Sequence, residues 1–242
     1  MDGDLSRVHS EFTVTGPATA IFEAHSNLPS TLPPLLEPSD REVRIAVNSK
    51  VMKLSWRLLE ICKRLEREAL VPVRFSFFPG ERFAYMDGLE AAITAELPMA
   101  TVEPYVDYET FLNKICECDM ALAAFPFGNT NSTVDSCLLG LPTVAHFGPE
   151  SPAQTDRLVL KTAGLPDWLI CDNDEDYFNT ALRLVNDKSA RVDAMAGLSR
   201  AQMYENLIGN SVRKEAEPFG DIMYQIHRHH EQLQELPDRV MD

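Results

Sequence analysis

Between Arg44 and Cys171 short apolar runs alternate with amphipathic stretches, and this alternation limits the chain to one class of architecture. The runs Arg44–Asn48, Val71–Phe78, Ala100–Val102, Met120–Phe125, Pro142–Phe147 and Trp168–Cys171 read as strands. Lys53–Ala69 places Leu54, Leu58, Leu59, Ile61, Cys62 and Leu65 at helical spacing. Asp87–Leu97, Asp107–Cys118, Ser132–Leu139 and Ala153–Ala163 read as further helices, with Asp87 and Asp107 as N-caps and Gly164 as a C-cap. Beyond the last strand, Asp174–Asn186, Ala190–Asn206 and Glu215–Leu236 are also helical in pattern. Strands separated by helices pack as βαβ units, so the expected fold is α/β, a doubly wound, Rossmann-like parallel sheet. Ligands of such sheets sit outside the carboxyl ends of the strands, where the connections change direction.

Residues 1–41 do not share the pattern. Leu28–Ser39 carries four prolines in twelve residues, each fixing φ and removing a backbone donor, which predicts an extended arm or linker. The expected organisation is an arm over 1–41, a Rossmann-like domain over 42–210 and a C-terminal helix over 211–242.

Charge and composition narrow the function. With 22 Lys and Arg against 37 Asp and Glu the formal charge is −15, so a nucleic-acid partner is not expected. Apolar residues make up 45% of the chain, enough to offset the entropy of ordering, and none of their runs has the length of a membrane span. The first residues, Met1–Phe12, lack the basic and apolar regions of a secretory signal, so a cytoplasmic protein is expected. The five cysteines suit free thiols in a reducing compartment, and Cys116-x-Cys118 without a second pair is a weak metal signal. His227, His229 and His230 read as a polar helix face, so no metal site is expected.

One segment stands out. Phe125-Pro-Phe-Gly-Asn-Thr-Asn-Ser-Thr-Val-Asp-Ser136 follows an apolar strand and opens a helix. Thr130, Asn131, Ser132 and Thr133 would set hydroxyls, an amide and backbone N–H groups at the positive end of a helix dipole, which is an anion site. Asp135 would lie in the first turn, where a carboxylate can accept from a ribose diol. The competing reading is ordinary N-capping, which accounts for one or two of these residues and leaves the rest unexplained.

The run FPFGNTN, the Asp four residues after its second Asn, and the Gly-Leu-Pro that follows resemble the bacterial cytoplasmic N-glycosyltransferases that modify high-molecular-weight adhesins. These belong to glycosyltransferase family 41, with the O-linked N-acetylglucosamine transferases. Gly164-Leu-Pro-Asp-Trp-Leu-Ile170 and Val51-Met-Lys-Leu54 extend the resemblance over roughly residues 42–205. It implies the C-terminal, donor-binding half of a GT-B glycosyltransferase, and a metal-independent, inverting transfer of a hexose, glucose by resemblance, from UDP to a protein asparagine.

The resemblance also assigns residues. Lys53 matches the lysine that contacts the donor diphosphate; Asn131 and Asp135 match polar groups at the diphosphate and ribose; Thr130 and Ser132 match the phosphate-binding turn, beside Asn129 of the same motif. Tyr105 stands where the family has a histidine close to the nucleotide, and an aromatic ring can still stack there. After Gly148-Pro-Glu150 the family continues with a histidine-rich segment ending in an acidic residue, whereas this chain reads Ser151-Pro-Ala-Gln-Thr-Asp156 and retains only Asp156. The implied partners are a UDP-sugar, an acceptor protein and the missing N-terminal GT-B domain in cis or in trans. The apolar positions of the last helix add a homodimer. The alternative is a non-catalytic GT-B-like module acting as a subunit or adaptor.

Overall fold

The computed structural model describes residues 13–14, 22, 24–35, 37–82, 86–209, 211–233, 235 and 240–241. Six strands form one parallel sheet: β1 (Val43–Val47), β2 (Val73–Phe77), β3 (Thr101–Val102), β4 (Met120–Leu122), β5 (Thr143–His146) and β6 (Ile170–Cys171). Their order across the sheet is β3-β2-β1-β4-β5-β6. Val43 pairs with Val73 and Val47 with Phe77 on one side of β1, and Ile45 pairs with Met120 on the other. The chain therefore winds outward from β1 in one direction, then returns to start β4 on its other side. The crevice opened by that reversal, at the carboxyl ends of β1 and β4, is where ligands of such sheets bind.

The helices are α1 (Trp56–Glu68), α2 (Met86–Glu96), α3 (Tyr108–Ile115), α4 (Asn131–Leu139), α5 (Ser151–Ala163), α6 (Asp174–Asn186), α7 (Lys188–Ala194), α8 (Arg200–Tyr204) and α9 (Ser211–Leu233). β1 is buried on both faces, as a central parallel strand must be. Ile45 and Val47 share a core with Leu58, Ile61 and Leu65 of α1. Ala46 and Ala121 face the other way, toward Leu112 and Ile115 of α3 and Leu139 of α4, and their small side chains let those helices approach the sheet.

Four local expectations change. Asp135, expected in the first turn of its helix, is the fifth residue of α4, whose first turn holds no acidic residue. Lys53 lies in a 3₁₀ turn, Val51–Lys53, because Ser55 caps α1 by accepting from the Leu58 N–H and so sets its start. Asp87 sits inside the first turn of α2, one residue past its start, whereas Asp107 caps α3 as expected. The stretch read as one helix over 190–206 is broken: Gly197 adopts φ +79, and Ser199 caps a new helix, α8.

The segment before β1 lies against the fold. Leu28 and Leu32 pack against the core, and the Pro33 carbonyl accepts from the Arg200 guanidinium. Cys62, Cys116, Cys118, Cys137 and Cys171 are buried free thiols. Among the described residues no helix is long and apolar enough to cross a membrane.

Candidate functional site

Four segments converge beyond the carboxyl ends of the strands: the loop after β1, the loop after β2, the loop after β3, and the start of α4. They enclose a cleft of about 290 Å³. Lys50, Gly80, Glu103, Tyr105, Tyr108, Phe111, Ser132 and Asp135 line it, and His25 from the segment before β1 closes one side.

The turn entering α4 is unusual. Thr130 precedes the helix at φ +55, and its side chain makes no capping bond. Such a conformation is strained for a β-branched residue, so something outside the turn must hold it. That support is Asp156 of α5, which is 1% exposed. Its Oδ2 accepts from the Asn129 N–H at 2.8 Å and its Oδ1 from the Thr130 N–H at 2.7 Å. The Thr133 hydroxyl adds a third bond at 2.8 Å. Burial raises the pKa of Asp156, while these three donors and Lys53 oppose the rise. The Gly128 N–H donates to the Pro152 carbonyl at 2.9 Å, and a Cβ at Gly128 would lie 2.4 Å from the Thr155 hydroxyl.

This corrects the expectation for Thr130, whose N–H was to be one of four offered to an external anion. The N–H groups of Asn129 and Thr130 are occupied by an internal carboxylate. The groups left without an intrahelical acceptor are those of the first turn, Asn131 to Thr133. Lys53 reaches the same loop from the other side, its Nζ donating to the Gly128 carbonyl at 2.6 Å.

The sequence-predicted residues fall into two groups. Ser132, Asp135 and Tyr105 line the main cleft. Lys53, Asn129 and Thr130 build the adjoining turn: the buried Asn129 amide oxygen accepts from the Ser49 hydroxyl at 2.7 Å. Asn131 lines a smaller cavity of about 80 Å³ beside the cleft, with His25 and Asp135 between the two.

Burial pushes the Asp135 carboxyl up to about 6, against the opposing effects of a hydrogen bond from the Tyr108 hydroxyl and the nearby His25. The Tyr108 hydroxyl is raised by burial and by the same carboxylate. His25 stacks on the Tyr108 ring at 3.8 Å, and Arg82 lies 3.9 Å over the Tyr105 ring. Lys50 donates to the Gly80 carbonyl at 2.9 Å and stands 3.4 Å from Glu81. Sequence reasoning passed over Lys50, Arg82 and His25. Only Lys50 left a signal there, as a second lysine on the loop after β1. His146 stacks on Phe125 and faces Asp174 at 3.1 Å.

No family model matches the chain. Two curated proteins named UDP-glucose:protein N-beta-glucosyltransferase, from two strains of Actinobacillus pleuropneumoniae, are 34% identical over 173 residues, which is 69% of this chain. The match spans 28% of the length of those relatives. A tomato protein described as a probable UDP-N-acetylglucosamine–peptide N-acetylglucosaminyltransferase, SPINDLY, is 32% identical over 69 residues, 28% of this chain and 7% of its own. Among solved structures, an O-GlcNAc transferase variant from Thermobaculum terrenum superposes with a TM-score of 0.64 at 16% identity, over 84% of this chain and 38% of its own. TarM superposes with a TM-score of 0.52 at 13% identity, over 80% of this chain and 37% of its own. These structural likenesses establish the Rossmann-like fold of a GT-B half.

Proposed function

From the premise that the chain belongs to glycosyltransferase family 41, as a counterpart of its C-terminal domain, we propose that it binds a UDP-sugar at the β1/β4 crevice and serves transfer of the sugar to a protein side chain. The observation that carries this reading is that Ser132 and Asp135 of α4 line that crevice while Lys53 grips the Gly128 carbonyl of the turn beside it. The cleft is the size of a nucleoside, and its aromatic walls suit a base. In this reading Asp135, which lines the cleft, accepts from the ribose diol. The diphosphate then falls on the N–H groups of Asn131 to Thr133, at the positive end of the α4 dipole, with Lys53 alongside.

In the proposed reaction an acceptor nitrogen forms a bond to the anomeric carbon as the bond from that carbon to the diphosphate oxygen breaks. The electron pair departs with UDP, and the acceptor loses a proton. Attack opposite the leaving group inverts the anomeric carbon. Lys53 and the α4 dipole offset the charge that grows on the diphosphate, so the step as drawn calls for no metal. The names of the matched relatives favour glucose as the sugar and a nitrogen as the acceptor. Because those relatives extend well beyond the matched stretch, we assign the acceptor contacts and the proton acceptor to a second Rossmann-like domain, linked or separate.

Calorimetric titration with UDP, with AMP as the control, tests the donor site. Micromolar UDP binding without AMP binding is the expected result. No uptake of UDP at millimolar concentration would overturn the reading.

A further inference from the structure

Among the described residues Asp156 is the only acidic side chain that is fully buried. A carboxylate taken out of water is unfavourable unless its oxygens are satisfied. Here both oxygens are used, and two of the three donors are consecutive backbone N–H groups of one turn. An N-cap side chain on Thr130 would leave the direction of that turn free. A two-oxygen grip from another helix fixes it, at the positive φ that Thr130 would not adopt unaided. Two consequences follow. The N–H groups of Asn129 and Thr130 point inward, so that only those of Asn131 to Thr133 remain for a ligand. The Gly128 carbonyl is held where Lys53 grips it.

We propose that Asp156 is a positioning residue of the donor site: it fixes the Gly128–Thr130 turn so that Lys53 and the first turn of α4 converge on the diphosphate. The carboxylate acts as an internal anion that fills the inner part of the turn and sets the diphosphate in front of it. This inference rests on the donor-site reading above.

The test uses the full chain, with UDP and uridine as probes. Asp156→Asn keeps the size of the side chain but aims an N–H₂ at one of the backbone donors. The variant should keep the native near-UV spectrum, exchange the Asn129 and Thr130 amides at least tenfold faster, and bind UDP at least tenfold more weakly. Its uridine affinity should stay within about twofold, because the nucleoside wall is untouched. Thr133→Val removes one donor and leaves the turn bonded, and should weaken UDP alone by about threefold; if Asp156→Asn does not fold, this variant decides. Unchanged UDP affinity in these variants, or equal losses for UDP and uridine, overturns the inference while the donor site stands. Failure of the unaltered chain to bind either probe overturns the donor-site reading itself.

Discussion

The Lys53 ammonium donates to the Gly128 carbonyl at 2.6 Å, joining the loop after β1 to the loop after β4 across the crevice where the sheet reverses. A cation so placed is held near the end of α4 before any ligand arrives. Lys53→Ala should therefore weaken UDP binding at least tenfold, about 1.4 kcal/mol. Thermal stability should change little, because one half-exposed hydrogen bond contributes about 1 kcal/mol net. Calorimetry and a melting curve on the same sample separate the two.

Asp135 should show opposite effects on function and stability. Its folded pKa of about 6 lies above the usual unfolded value of about 3.9. The folded state then binds more protons than the unfolded state between these values, so this group makes stability fall as pH rises from about 4 to about 6. Above pH 6 its full cost is present, about 2 to 3 kcal/mol at most, and below pH 4 there is none. Asp135→Asn should raise Tm at pH 7 by several degrees and leave it unchanged at pH 4. The same variant should lose at least tenfold in UDP affinity.

Tyr108→Phe keeps the ring that stacks on His25 and deletes the hydroxyl that donates to Asp135. That hydrogen bond holds the Asp135 pKa down against burial, so its loss should move the value further up. The acid limb of the UDP-binding pH profile should shift to higher pH, which calorimetry across the range from pH 5 to 8 would reveal. A profile identical to that of the unaltered chain would remove Tyr108 from the site.

Gly128→Ala should fail structurally. The added methyl would meet the Thr155 hydroxyl at 2.4 Å, the Pro152 carbonyl at 2.9 Å and an Asp156 oxygen at 3.0 Å. All three belong to groups already fixed by hydrogen bonds, so a loss of about 2 kcal/mol or more is expected in denaturant titration, with loss of UDP binding.

The sheet was readable from sequence because β1, β4 and β5 are mostly buried and so appear as short, largely apolar runs. Asp107 and Gly164 marked helix ends correctly because capping depends on one side chain or one positive φ. The break at Gly197 was missed because Ala190–Asn206 keeps helical spacing through it. At the site, Ser132 and Asp135 were legible from the motif itself. Asp156 was visible only as the acidic residue that remained in its segment. Its partners lie 23 to 27 residues earlier, and only the packing of α5 against α4 brings them together. His25 was hidden for the same reason, in the segment over 1–41 whose pattern predicts no contact.

The most direct test of the donor site is a crystal structure of the chain with UDP. The diphosphate should lie on the N–H groups of Asn131 to Thr133 beside Lys53, with the ribose against Asp135 and Asp156 still bonded to Asn129 and Thr130. UDP bound away from α4, or a crevice that stays empty at saturating UDP, would contradict the donor-site reading.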